Sequence, residues 1–200
     1  MARPPRSPYA PRVTPAELDA ARDRLVPDVA APGLRVLFCG INPGLLSAAL
    51  GRHFARPGNR FWPVLHLSGF TSRLLRPDEQ DDLLTYGLGI TNVVPRASAR
   101  ADELTDQELR DGGVSLQARV ERLKPRWLAV AGITAYRTAF HDKGAQIGRQ
   151  ERTIAGTGIW ALPNPSGLNA RWTVGAMAEE FARLRVATET ETGANTHGPH

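Results

Sequence analysis

Two Asn-Pro turns are the places where this sequence could do chemistry. Gly40-Ile41-Asn42-Pro43-Gly44 follows directly on the apolar run L-R-V-L-F-C, and Asn164-Pro165-Ser166-Gly167 follows a second short run, G-I-W-A-L-P. Proline fixes φ and removes a backbone donor, while Gly40 and Gly44 allow close backbone approach. An asparagine amide both donates and accepts hydrogen bonds. Two of them facing one crevice can grip an amide-bearing ring such as the Watson–Crick edge of a pyrimidine. One Asn-Pro-Gly alone reads as a tight strand-to-helix turn; a second, at the end of another strand, favours a shared site. Asparagine is neutral and cannot act as a general base, so it can only position a water. Asp102 and Glu103 lie ahead of a helix cap at Thr105. Asp102 is therefore a candidate for water activation, against the plainer reading of a solvated helix-entry carboxylate.

The elements that must place these residues follow from the apolar pattern. Residues 34–39, 88–94, 126–130 and 158–162 read as short buried strands. Thr14-Pro15-Ala16-Glu17 and Thr105-Asp106-Gln107-Glu108 are capping boxes, opening helices to about Leu25 and Leu123. Further helices are expected over 61–68, capped by Asn59, and over 77–85, 134–140 and 174–186. Arg119 and Arg122 fall on the helix opened at Thr105 and read as solvated. Strands alternating with helices specify an α/β fold, a single domain with a mainly parallel central sheet flanked by helices. In such sheets ligands bind outside the carboxyl ends of the strands. Both Asn-Pro turns, T-N-V-V-P-R at 91–96 and A-G-I-T at 131–134 all fall on that edge. Residues 1–13 are a basic, proline-rich tail and 188–200 show no apolar face. Both are expected to be disordered, leaving 14–187 as the folded domain.

Composition narrows the partners. The chain has 200 residues, 42% of them hydrophobic, enough for one domain with a substantial core. No apolar run reaches the ~18 residues of a membrane span, and the basic N-terminus has no apolar stretch after it, so a cytoplasmic protein is expected. A single cysteine, Cys39, excludes an internal disulfide and reads as a packing residue. The five histidines show no ligand spacing, so no metal and no cofactor are expected. The net charge of +5 and pI near 10.1 favour an anionic partner, nucleic acid first. Loop arginines 52, 56, 60, 96, 100 and 171 are expected at phosphates, which predicts binding that weakens steeply with salt.

Three segments together carry a specific resemblance. G-I-N-P-G-L-L-S-A (40–48), F-A-R-P-G-N-R-F-W (54–62) and L-P-N-P-S-G-L-N-A-R (162–171) resemble the mismatch-specific uracil-DNA glycosylases, the branch that includes thymine-DNA glycosylase. The likeness continues through Gly69-Phe70-Thr71, Gly89-Ile90-Thr91-Asn92, Gly112-Gly113 and Gly144-Ala145-Gln146, over residues 34–185. It implies excision of uracil, and of thymine or related adducts, from mispairs with guanine in double-stranded DNA by a monomeric enzyme. By position, Asn42 would orient the attacking water and Phe54 would stack on the flipped base. Ile41, Gly44, Ser47 and Asn164 would line the pyrimidine pocket. Gly167, Leu168 and Asn169 would form a wedge, and Arg171 and Arg60 would meet DNA. Arg52 and His53 stand where that family varies. The competing functions are a mismatch-binding protein without catalysis and a hydrolase of free nucleosides. The second has no use for a wedge.

Overall fold

The computed structural model describes residues 13–194. Five strands, β1 (Val36–Gly40), β2 (Leu88–Asn92), β3 (Trp127–Ala131), β4 (Gly148–Ile154) and β5 (Thr157–Leu162), form one sheet in the order β2-β1-β3-β5-β4. The pairs β1–β2, β1–β3 and β3–β5 are parallel and β4–β5 is antiparallel. Helices α1 (Pro15–Asp19), α2 (Leu45–Leu50), α3 (Phe61–Leu67), α4 (Asp106–Leu123), α5 (Ile133–Ala139) and α6 (Val174–Ala194) complete the fold, with 3-10 turns at Pro77–Tyr86 and Ala101–Glu103. The expected α/β architecture is the one observed.

Side chains alternate across the sheet with the strand period of two. Leu37 and Cys39 of β1, with Leu128 and Val130 of β3, join a core against α4 and α5. Val36 and Phe38, with Trp127 and Ala129, face the opposite core against α3 and α6. Every residue of β1, β2 and β3 is buried, as a parallel sheet covered on both faces requires. Cys39 is fully buried, and burial pushes its thiol far above the usual range, in keeping with a packing role.

Five elements depart from expectation, the first being the helix expected over 77–85, which forms a kinked 3-10 helix at Pro77–Tyr86. β4, G-R-Q-E-R-T-I, was not legible because it is polar. It is an edge strand joined to β5 by Ala155-Gly156, both at positive φ (49° and 87°), and backbone pairing in such a hairpin needs no apolar face. The helix α2 forms directly after the Gly40–Gly44 turn, in a stretch where no helix was expected. α1 stops at Asp19 instead of Leu25 and buries none of its own residues. α6 continues through Ala194, so residues 188–194 are helical where a disordered tail was expected. Thr188 is buried there, and Arg185 pairs with Glu189 at 2.6 Å one turn on. The basic tail expected at the other end lies, apart from Val13, outside the described residues.

Candidate active site at the carboxyl edge of the sheet

From β1 the chain crosses to β2 on one side, then returns to β3 on the other. Strand order therefore reverses at β1, and a crevice opens over the carboxyl ends of β1 and β3. A cavity of about 920 Å³ occupies it. Its wall includes the Gly40–Gly44 turn, Asn92 at the end of β2, Gly132 to Thr134 after β3 and Asn164 after β5.

The orientation of the Asn42 amide is fixed by its neighbours. Its Nδ2 lies 2.8 Å from Ser98 Oγ, 3.2 Å from the Arg96 carbonyl and 3.3 Å from the Pro43 carbonyl. Two of these are carbonyl oxygens, which only accept. Ser98 Oγ spends its hydrogen on the Arg100 carbonyl at 2.6 Å, so it too accepts from Asn42. Only the NH₂ end of the amide fits among three acceptors. Oδ1 is thereby the free end, an acceptor without a partner among the described residues, in a side chain that lines the cavity. Ser98, 1% exposed, was not singled out from the sequence; serines are common in loops, and only the fold brings residue 98 to residue 42.

A second buried amide stands beside it. Asn92 is 5% exposed, and its Nδ2 is 3.4 Å from Nδ1 of His53. His53 Nε2 lies 3.0 Å from the Pro27 carbonyl, so that nitrogen carries the hydrogen and Nδ1 accepts from Asn92. Burial pushes the His53 pKa down, against the raising effects of the Pro27 bond and of Asp28, which favours the neutral ring. Gly40 makes room for this arrangement. A Cβ there would meet Asn92 Oδ1 at 2.6 Å and the Phe54 ring at 3.3 Å. Asn92 was legible only as part of a longer motif, though a polar residue closing a buried strand on the ligand edge is itself a signal.

The remaining expected pocket residues also gather here. Phe54 lines the cavity with φ of +52°, a backbone conformation that a bulky residue rarely adopts. One face of its ring stacks on Phe61 at 4.1 Å. Ser47 is buried and accepts from the Ala55 amide at 3.1 Å, which leaves its O–H free to donate. Ile41 is half-buried and Gly44 opens α2, whose first amides have no partner within the helix. Asn164 Oδ1 closes its own turn by accepting from the Ser166 amide at 2.9 Å; Nδ2 has no partner among the described residues.

Leu168 stands 71% exposed at the tip of the loop after β5, above the same cavity. Asn169 is used inside this loop: its Nδ2 donates to the Asn164 carbonyl and its Oδ1 accepts from the Arg171 amide. Gly167 packs against the neighbouring loop so closely that a Cβ would come within 2.6 Å of the Gly58 carbonyl.

The loop arginines divide more sharply than their sequence suggests. Arg60 does not face outward: its guanidinium donates to the carbonyls of Ser166, Asn169 and Trp172. Arg96 is pinned to Glu108 and Asp23, and with the Thr105 cap it holds the Glu108 carboxyl down at about 2. Arg52 pairs with Asp78 at 3.7 Å. Arg100 engages both oxygens of Asp102, which is exposed at the cavity wall. Arg56 and Arg171 are exposed and have no carboxylate partner among the described residues. Arg119, read as solvated, is instead largely buried: it pairs with Asp28 at 3.1 Å and donates to Thr91 Oγ and the Asn92 carbonyl, bracing the end of β2.

The fold is shared with known structures. The solution NMR structure of a protein from Methanosarcina acetivorans, described as a candidate uracil DNA glycosylase, superposes with a TM-score of 0.57. It is 22% identical, and the match covers 84% of this chain and 98% of that one, a likeness of fold. Residues 27–186 match the family model of the uracil DNA glycosylase superfamily, and the chain belongs to that superfamily. The match spans every strand and both Asn-Pro turns. DNA is the partner on which members of this family act.

Proposed function

We propose that the protein is a monofunctional DNA glycosylase of the mismatch-specific branch. It takes uracil, and related pyrimidines, out of mispairs with guanine and leaves an abasic site. The observation that carries this reading is the Asn42 amide, held by three acceptors so that its free Oδ1 serves the cavity.

A base inside a duplex is closed to water, so the nucleotide must swing out, at a cost of a few kcal/mol that a wobble pair reduces. Leu168, exposed at its loop tip, enters the vacated stack and delays return. The flipped ring lies on Phe54, with its edge read by the amides of Asn92 and Asn164 and the Ser47 hydroxyl. A water held on Asn42 Oδ1 attacks C1′ as the N-glycosidic bond lengthens and the sugar becomes oxocarbenium-like. The departing pyrimidine takes the bond's electron pair, and backbone N–H groups of the Gly40–Gly44 turn face its carbonyl oxygen. Asp102 is the proposed acceptor for the water's proton, once released from Arg100. No covalent intermediate on an amine is involved, because the two lysines, Lys124 and Lys143, lie outside the cavity wall. Arg56 and Arg171 meet phosphates on either side of the flipped nucleotide.

The test is single-turnover cleavage of a labelled duplex with one G·U pair, with enzyme in excess, a chelator present and alkali to reveal abasic sites. A·U, G·T and single-stranded uracil run beside it, with N42A, D102A and D102N. Cleavage of G·U that falls about 100-fold or more in N42A supports the reading, on the scale of general-base and water-positioning contributions. Unchanged rates in both Asp102 variants remove that residue from the mechanism. Tight binding to G·U without cleavage at any enzyme excess replaces the glycosylase with a mismatch-binding protein.

A further inference from the structure

The Arg60 guanidinium is spent on another loop. Nη1 donates to the Trp172 carbonyl at 2.5 Å, and Nη2 donates to the Ser166 carbonyl at 2.5 Å and the Asn169 carbonyl at 2.8 Å. The Arg60 backbone amide adds a bond to the Pro165 carbonyl at 2.9 Å. No carboxylate pairs with this arginine among the described residues. The three carbonyls flank Leu168 on both sides of the loop, and the planar fork of a guanidinium can reach all three at once where an ammonium cannot. Among the described residues the Leu168 amide is held only by a 3.3 Å bond to Ser166 Oγ.

We infer that Arg60 is a positioning residue that braces the loop of residues 163–172, so that Leu168 is presented to DNA already in its raised form. The inference rests on the glycosylase reading for its consequence, but the brace is a property of the free protein. A disordered loop would have to be ordered at each encounter, and that cost would appear in the flipping step. Arg60 thereby acts on base extrusion without touching DNA. It differs from Arg56 and Arg171, which act by charge at the phosphates.

Two measurements on the full chain test this. Amide hydrogen exchange of the free protein follows residues 165–171 in wild type, R60K and R60A, with R60A repeated in millimolar guanidinium. About tenfold faster exchange in R60A, confined to this loop and reversed by guanidinium, is expected, with R60K between. Unchanged exchange overturns the brace. Single-turnover cleavage of the G·U duplex is then compared in R60A, L168A and the double variant. If Arg60 works through the wedge, R60A loses about tenfold and the double variant is no slower than L168A alone, because the two act as a unit. Losses that multiply overturn the proposal, as does a drop of about one in the salt slope of binding, the mark of a lost phosphate contact. If wild-type protein cleaves nothing, the glycosylase reading fails, and the exchange experiment still decides the brace.

Discussion

Replacing Asn42 with aspartate tests the orientation of the amide on which the proposed mechanism turns. In N42D an oxygen takes the place of Nδ2, facing the Arg96 and Pro43 carbonyls and Ser98 Oγ at 2.8 to 3.3 Å. Ser98 can recover one bond by turning its hydrogen from Arg100 to the new carboxylate. The two carbonyls lose their donor. The site is half-buried, so the lower end of the penalty for an unsatisfied group applies, about 1 kcal/mol each. A loss of about 2 kcal/mol at neutral pH follows, before charge repulsion is added. The sign of the pH dependence comes from the same geometry. Facing acceptors, the folded protein favours the protonated acid, which can donate, so the new carboxyl titrates above its unfolded value. The destabilisation is then full above the raised pKa and fades as pH falls toward the ordinary carboxylate range. Urea unfolding of wild type, N42A and N42D at about pH 8 and pH 5 measures it. N42D should approach N42A at the lower pH and fall below it at the higher. Identical pH dependence in the two variants would show that Nδ2 does not face those oxygens, and the free Oδ1 on which water is proposed to sit would go with it.

The other predictions concern the surroundings of the site. R56A and R171A should each lower the salt slope of DNA binding by about one, whereas R96A should leave the slope unchanged because Arg96 is committed to Glu108 and Asp23. G40A should weaken cleavage without unfolding the protein, since the added Cβ meets Asn92 Oδ1 at 2.6 Å at the pocket floor; normal rates would show that Asn92 and Phe54 are not held as described. The Arg96–Glu108 pair and the Thr105 cap hold Glu108 at about 2 against an ordinary 4.5, so their stabilisation is complete above 4.5 and is lost as pH falls through 2. E108Q should flatten acid unfolding over that window, and an unchanged acid limb would refute the assignment. Cys39 should resist thiol reagents in the folded protein and react only on unfolding; rapid labelling of native protein would contradict its burial.

Much of the candidate site could be read from local sequence because the residues proposed for it are concentrated in short turns. Gly40 to Gly44 and Asn164 to Gly167 each follow a short apolar run that reads as a buried strand, and the second Asn-Pro turn made a shared site the better reading of both. The strand-helix alternation then places both turns on one edge, since parallel strands share a direction. β4 escaped because an edge hairpin is specified by Ala155-Gly156 and backbone pairing, with no apolar signature of its own. The helical continuation to Ala194 escaped for a related reason: burial of Thr188 depends on what α6 packs against.

The partners of each polar group were decided by tertiary structure alone. Six loop arginines are equivalent in sequence, yet the fold commits Arg60 to a loop more than a hundred residues away, Arg52 to Asp78, Arg96 to Glu108 and Arg100 to Asp102, and leaves Arg56 and Arg171 without such partners among the described residues. Ser98 carries no local mark of function, and His53 stood out only as a place where the resembled family varies; both join the candidate site because β1 and β2 end side by side and bring them to Asn42 and Asn92. The sequence by itself determined the fold class and the two asparagine turns, through periodicity and turn chemistry that act over a few residues. Which end of each amide is free, and which arginine is, depends on hydrogen bonds between segments far apart in the chain, and only the closed sheet brings those segments together.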